Sequence, residues 1–380
     1  MGFKKIYIFA LAAAGQGISG GDRIFIEFAR RWSKEIPVTI YLWEQGFQMC
    51  QRQHLEISNV KFLISEMESW KRLGFIINYF ARIIEGIRLG LTTKLENSKD
   101  TIVYSASEFW MDSLPALILQ LRFSKIKWAA AWYQTAPSPL KGFSGALPYW
   151  LVQLPIKPLI NRFANFVLVN NDEEKKQFHN AVVVLGAIDL QKIKIWKSKY
   201  KNLPKIYDAV FQGRFHPQKG VLELIDIWKL VIAKKPDAKL VMIGDGPLME
   251  SVKLEVKKEK LENNIKLTGY LFDGKEKYRI FSQSKVVVHP AFYDSGGMAS
   301  YEAMAFDLPC VGFNLSSYSS YYPKGMEKAP EGDLKLFADK ILQLLVDKKL
   351  YGKVAGNAYQ LVANMTWDKR ARQILDQVLK

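Results

Sequence analysis

Short runs of continuously apolar residues recur along this chain, each followed by a segment of helical periodicity, and this alternation constrains the fold more than any other feature. In the first half the runs are Lys5-Ile-Tyr-Ile-Phe-Ala-Leu11, Val38-Thr-Ile-Tyr-Leu-Trp43, Thr101-Ile-Val-Tyr-Ser105, Lys127-Trp-Ala-Ala-Ala-Trp132 and Phe166-Val-Leu-Val-Asn170. A strand with one wet face alternates apolar and polar residues. These runs do not alternate, so they are predicted to be buried on both faces, as in a parallel sheet covered by helices. Leu114 to Leu121 reads as a crossover helix between two of them. At 380 residues the chain exceeds one ordinary core and suits two α/β domains.

Near Gly186-Ala-Ile-Asp189 the character changes. The stretch from Lys192 to Lys205 is lysine-rich with little apolar periodicity and reads as a linker. A second strand and helix series follows. It runs Ala209-Val-Phe-Gln212, a helix from Val221 to Lys234, Lys239-Leu-Val-Met-Ile243, and a helix from Leu248 to Glu259. It continues with Ile265-Lys-Leu-Thr268, Lys285-Val-Val-Val-His289, a helix from Met298 to Ala305, and Cys310-Val-Gly-Phe313, with helices after Gly332. The expected architecture is two Rossmann-like, doubly wound domains facing a cleft, the first over residues 1–195 and the second over 196–360, with a terminal segment 361–380. Ligands of such domains sit beyond the carboxyl ends of the strands.

The N-terminus admits two readings. Lys4-Lys5 followed by the apolar residues Ile6 to Ala14 imitates a signal peptide. The competing reading is a buried first strand running into Gly15, Gly17, Gly20 and Gly21 and then the helical run Ile24 to Trp32, which is how a Rossmann-like unit opens. The strand is the expectation. A membrane-spanning helix needs about 20 apolar residues, and the best candidate, Phe75 to Leu91, is interrupted by Arg82, Glu85 and Arg88.

Charge is the unusual item of composition: 54 Lys+Arg against 37 Asp+Glu leave +17. Such an excess suits anionic partners, whether nucleic acid, an anionic membrane surface or phosphorylated substrates. No nucleic-acid module is recognisable and the lysines are spread widely, so no nucleic-acid partner is expected. Cys50 and Cys310 suggest no disulfide framework, and a cytoplasmic setting is expected. The four histidines, His54, His179, His216 and His289, show no metal-ligand spacing, and no metal site is expected.

Three motifs in the second half carry chemistry. Gly213-Arg214-Phe-His-Pro-Gln-Lys219-Gly220 places an arginine and a lysine in one turn between strand and helix. A planar fork and a compact point charge converging there suit a diphosphate, although two solvated basic residues are the commoner outcome. Gly244-Asp245-Gly246-Pro247 is a tight turn at a strand end, where glycine permits positive φ or close approach of a ligand. In His289-Pro-Ala-Phe-Tyr-Asp294-Ser-Gly-Gly-Met298-Ala-Ser-Tyr-Glu302, a strand gives way to a glycine loop and a helix beginning near Gly297. The backbone N–H groups of Met298 and Ala299 at that helix start suit an anion. Asp294 before the helix and Glu302 inside it suit sugar or ribose hydroxyls. Plain helix capping by Asp294 or Ser295 competes with that reading.

Together these motifs resemble the signature of glycosyltransferase family 4, the group 1 glycosyltransferases of GT-B fold. Gly213-Arg214-Phe215 to Lys219-Gly220, Gly244-Asp-Gly-Pro247 and Tyr301-Glu-Ala-Met-Ala305 occur in the family's order, and Asp294 and Glu302 keep its spacing of eight positions. The match is dense over residues 205–315 and looser in the first half, where Gly20-Gly21-Asp22 matches the first-loop glycines. Thr366-Trp367 and the last helix look like the family's return to the first domain.

The resemblance implies a metal-independent, anomer-retaining hexosyltransferase, with no cofactor and a nucleotide-diphosphate sugar as donor, UDP- or GDP-linked. Arg214 and Lys219 would hold the diphosphate with the Met298 and Ala299 backbone, beside Gly213, Gly244 and Gly297. Glu302 would bind the ribose and Asp294 the transferred sugar. Gly20 and Gly21 would approach the phosphate, and the base would pack near Gly269-Tyr270-Leu271. A glycan or lipid-linked acceptor of cell-envelope polysaccharide or glycolipid synthesis is implied.

Three departures stand out. Asp294 replaces a glutamate, Ser295-Gly296-Gly297 replaces Gly-Phe-Gly, and the family histidine is missing from Ala131-Trp-Tyr133-Gln134-Thr-Ala-Pro137. They keep open a non-catalytic nucleotide-sugar-binding protein or a degenerate transferase subunit. Two basic, aromatic stretches, Trp70 to Arg88 and Lys141 to Arg162, suit peripheral contact with an anionic membrane or, for the first, a core helix with solvated arginines. The second stretch, with its Gly and Pro, is expected to be a loop-rich surface.

Overall fold

The computed structural model describes residues 5–379 apart from 16, 56, 67–73, 96–97 and 140–145. Lys4, Trp70 and Lys141, which open three of the segments above, lie outside the described residues. The chain forms two compact units, Met1–Gly186 with Trp367–Lys380, and Ala187–Thr366.

In the first unit seven parallel strands are ordered β3-β2-β1-β4-β5-β6-β7. They are β1 Lys5–Phe9, β2 Val38–Trp43, β3 Val60–Ser65, β4 Thr101–Ser105, β5 Lys127–Trp132, β6 Phe166–Val169 and β7 Ala181–Val183. The apolar segment that imitates a leader is β1, between β2 and β4, with Ile6 in register with both Val38 and Ile102. A strand with neighbours on both sides and helices on both faces must be apolar throughout, which explains its continuous pattern. The closing helix Trp367–Leu379 packs on Gly20–Trp32, where Trp32 Nε1 donates to Ala371 O at 2.9 Å.

The second unit has six parallel strands ordered β10-β9-β8-β11-β12-β13. They are β8 Tyr207–Gln212, β9 Leu240–Ile243, β10 Ile265–Gly269, β11 Ser284–His289, β12 Cys310–Phe313 and β13 Met326–Ala329. The order reverses between β8 and β11, so the crevice that such sheets offer to ligands lies between the loops that follow these two strands.

The structure departs from the sequence reading in several places. The lysine-rich stretch expected as a linker is largely the helix Leu190–Lys199, capped by Asp189. It belongs to the second unit because Leu190, Ile193 and the following Tyr200 are buried, while its lysines face outward. The division therefore falls after residue 186 and again after 366, where the sequence suggested 195 and 360. The stretch expected to be loop-rich contains the helix Ala146–Phe163, with Pro155 and Pro158 inside it. Each interior proline costs a helix about 3 kcal/mol, but burial of Ile156 and Ile160 outweighs the local preference. Strands β3, β7 and β13 are not predicted by the pattern of apolar runs. All three are sheet edges, and β3 is half-exposed, so none carries a full apolar run.

Candidate functional site

After β8 the chain turns through residues 213–220 into the helix Val221–Lys234, and after β11 through 290–298 into the helix Ala299–Met304. The two loops are stitched together: Phe292 N donates to Gln218 O at 3.0 Å. Gly220 sits at φ +62°, and a Cβ on it would lie 2.0 Å from Pro290 O. Gly244, at φ +152°, would place a Cβ 1.8 Å from Gly213 O, and Gly213 N donates to Ile243 O at 3.0 Å. Backbones this close admit only glycine at these positions.

That packing brings Lys219 onto Asp294, with Nζ 2.5 Å from Oδ2 and the carboxylate side chain only 8% exposed. His289, at the end of β11 and 1% exposed, places Nε2 2.8 Å from the same oxygen. Gly296 N donates to Asp294 Oδ1 at 3.2 Å, and Ser317 Oγ donates to the Asp294 carbonyl at 2.7 Å. Burial by itself would raise the Asp294 carboxyl. Lys219 and His289 overrule it and hold the group far below the usual carboxylate range. Burial lowers His289, against the pull of Asp294. A neutral imidazole donating from Nε2 leaves Nδ1 as an acceptor, and this buried atom has no partner among the described residues.

Arg214 is exposed and makes no side-chain hydrogen bond or ion pair among the described residues. His216 is lowered by burial and by the charges of Arg214 and Lys219, so both cations act on one neighbourhood. Glu302 lies deeper: its Oε2 accepts from Lys277 Nζ at 2.6 Å and from Gln212 Nε2 at 3.3 Å. Lys277 also pairs with Asp273. Met298 is the N-cap of its helix and supplies no side-chain cap, and Gly297, at φ +62°, packs against His289 and Tyr322. Tyr270 is 38% exposed, edge-on to Phe272 with ring centroids 5.0 Å apart.

In the first unit Gly20 and Gly21 form the first turn of the helix Gly20–Trp32, capped by Ser19. A Cβ on Gly21 would lie 3.4 Å from the Tyr133 ring, and Tyr133 shares a 2.5 Å hydrogen bond with Tyr104. Gln134 Nε2 is buried and has no partner among the described residues.

The structure thus joins Lys219 with Asp294 and adds two residues that the sequence reading passed over, His289 and Lys277. His289 ends a strand five positions before an acid, a usable signal. Lys277 is one lysine among many and has none. Among the described residues no three His, Cys, Asp or Glu side chains form a group that could hold a metal ion, and no helix is long and apolar enough to cross a membrane.

Two parallel-sheet units of this kind define the GT-B class. A crystal structure of HepE from Anabaena, in complex with UDP and glucose, matches with a TM-score of 0.73 over 99% of each chain at 16% identity. Residues 192–361 match the family described as glycosyl transferases group 1. The chain is similar to the poly(glycerol-phosphate) alpha-glucosyltransferase of Bacillus subtilis, 23% identical over 42% of this chain and 24% of that one. It is also similar to the capsular polysaccharide biosynthesis glycosyltransferase CapM of Staphylococcus aureus, 26% identical over 49% and 51%. The chain thus spans between a quarter and a half of the length of these two relatives.

Proposed function

We propose that the chain is a glycosyltransferase of cell-envelope polymer synthesis that moves a hexose from a nucleoside-diphosphate sugar to a glycan or lipid-linked acceptor, with retention at the anomeric carbon. The observation that carries this reading is the Lys219–Asp294–His289 cluster at the sheet's switch point, with Arg214, unpaired among the described residues, on the loop that bears Lys219.

Transfer breaks the bond between the anomeric carbon and the diphosphate and makes one to the acceptor oxygen, whose proton passes to the departing phosphate oxygen. Charge builds on the departing phosphate oxygens. Arg214 and Lys219 meet that charge, helped by the backbone at Met298 and Ala299, and donors in comparable anion sites each contribute about 3 kcal/mol. On this reading the two cations offset that charge without a metal ion. Asp294, kept ionised by Lys219, accepts from the sugar hydroxyls. Glu302, fixed by Lys277, accepts from the ribose, and Tyr270 offers a face to the base. UDP is the favoured nucleotide, since HepE crystallised with UDP and glucose.

An anionic membrane as the acceptor's location is supported by the first unit. Ile76, Phe80 and Ile84 on the helix Gly74–Thr92, and Leu147, Leu151 and Leu154 on Ala146–Phe163, are exposed. The sequence from residue 113 to 171 contains six cations and no acid. Apolar side chains among basic residues suit an interfacial position. Pelleting with vesicles containing anionic lipid, but not with neutral vesicles, is the expected result.

The test of the donor assignment is a thermal shift of the purified protein against UDP, GDP, ADP and their sugar conjugates. A rise with one nucleotide family, lost in Arg214→Ala, supports the site. No rise with any of them overturns it. Nucleotide binding without sugar transfer or donor hydrolysis would favour a non-catalytic binder.

A further inference from the structure

The first unit contains a cavity of 580 Å³ that the donor site does not use, with Ala12, Gly15, Trp43, Gln45, Asn78 and Arg82 on its wall. Arg82 is the unusual member. It comes from the helix Gly74–Thr92 and is only 9% exposed, yet it forms no ion pair among the described residues. A buried cation without a carboxylate partner is expensive unless something else meets it.

Its surroundings hold it without neutralising it. Nη1 donates to Leu11 O at 3.0 Å, Nε donates to Asn78 Oδ1 at 3.1 Å, and the guanidinium lies 3.1 Å from the centre of the Trp43 ring. Three fixed contacts define its plane and lock its rotamer. Among the described residues Nη2 makes no hydrogen bond, and it is not one of the enclosed, unpaired atoms, which leaves it available to a ligand.

The acid that acts on it is Asp112, whose oxygens accept from Ala12 N at 3.1 Å and Ser107 Oγ at 2.5 Å. Burial lowers Arg82 to about 9 and raises Asp112 to about 7, so this acid offsets the cation incompletely. A second cation holds one wall residue from outside the lining: Arg52 Nη2 donates to Gly15 O at 3.0 Å. Gly15, at φ +91°, has no atom of the described residues beyond its chain neighbours within 4 Å of where a Cβ would stand, which leaves room for a ligand on that side. The amides of Gln45 and Asn78 add neutral hydrogen-bonding capacity.

We infer that this cavity binds the anionic group, phosphate ester or carboxylate, of a small hydroxyl-bearing ligand, with Arg82 as the residue that selects for its charge. A preorganised guanidinium suits both oxyanions, and neutral amides beside it suit hydroxyls. Under the proposed transfer reading, on which only this last step rests, the ligand is the charged end of the acceptor.

The test is isothermal titration of the full chain, without donor, against glycerol 1-phosphate, L-malate and neutral glycerol. Binding of either anion, weakened by salt, with none of glycerol, is expected, and the tighter anion identifies the group. Arg82→Met should weaken it at least tenfold, while Arg82→Lys should retain part. Gln45→Phe, which fills the cavity and leaves the cation in place, serves if Arg82→Met fails to fold. The UDP thermal shift, read on the same variants, should be unchanged.

Absence of binding by both anions overturns the inference, as does equal binding by the folded Arg82→Met and Gln45→Phe variants. The UDP shift tests the donor site independently, so failure of one reading is distinguishable from failure of the other.

Discussion

Lys277 Nζ lies 2.6 Å from Glu302 Oε2, with the two side chains 2% and 6% exposed. Removing one member of such a pair leaves a buried charge uncompensated. Lys277→Ala should therefore destabilise the protein by about 3–5 kcal/mol. The double variant Lys277→Met with Glu302→Gln should recover most of the loss. Urea unfolding of the three proteins measures this.

The Arg214 side chain makes no hydrogen bond or ion pair among the described residues, so Arg214→Ala should leave stability within about 0.5 kcal/mol of the parent. Its effect should fall on the diphosphate, lowering turnover about 100- to 1,000-fold. Full turnover at saturating donor in this variant would exclude Arg214 from the diphosphate site.

Asp294 and Asp112 should shape stability against pH in opposite directions. The folded value of Asp294 lies far below that of an unfolded aspartate, so its contribution is present above about pH 4 and lost as pH falls. Asp112 is pushed up to about 7, so its contribution is full below about pH 4 and lost as pH rises toward neutrality. Unfolding midpoints followed across this range should show the acid limb flattened by Asp294→Asn and the neutral limb flattened by Asp112→Asn.

Gly220→Ala tests the seam between the two loops. The new Cβ meets Pro290 O at 2.0 Å, at a φ of +62° that alanine resists. The backbones must separate, which should cost at least about 2 kcal/mol and abolish the nucleotide-induced thermal shift. Retention of that shift would show that the seam does not position Lys219 and Asp294.

Much of this protein is determined by its sequence alone. Strands buried on both faces must be apolar throughout, so β1, β2, β4 and β5, and β8, β9 and β11 in the second unit, announce themselves, as do the turns whose glycines recur at strand ends. Edge strands and prolines defeat the same reasoning. β3 and β13 lack a second neighbour and so lack the pattern, while Pro155 and Pro158 argue locally against a helix that burial of Ile156 and Ile160 sustains.

Within the site, the types and order of Arg214, Lys219, Asp294 and Glu302 were legible because diphosphates and hydroxyls demand particular charges. Their pairing was not. Only the tertiary structure set Lys219 against Asp294 and His289, buried Lys277 beneath Glu302 and left Arg82 without a carboxylate partner among the described residues. Pattern reports which residues are apolar and at what period. The partner of a buried charge is decided by which loops and helices pack together, and that follows from the whole chain.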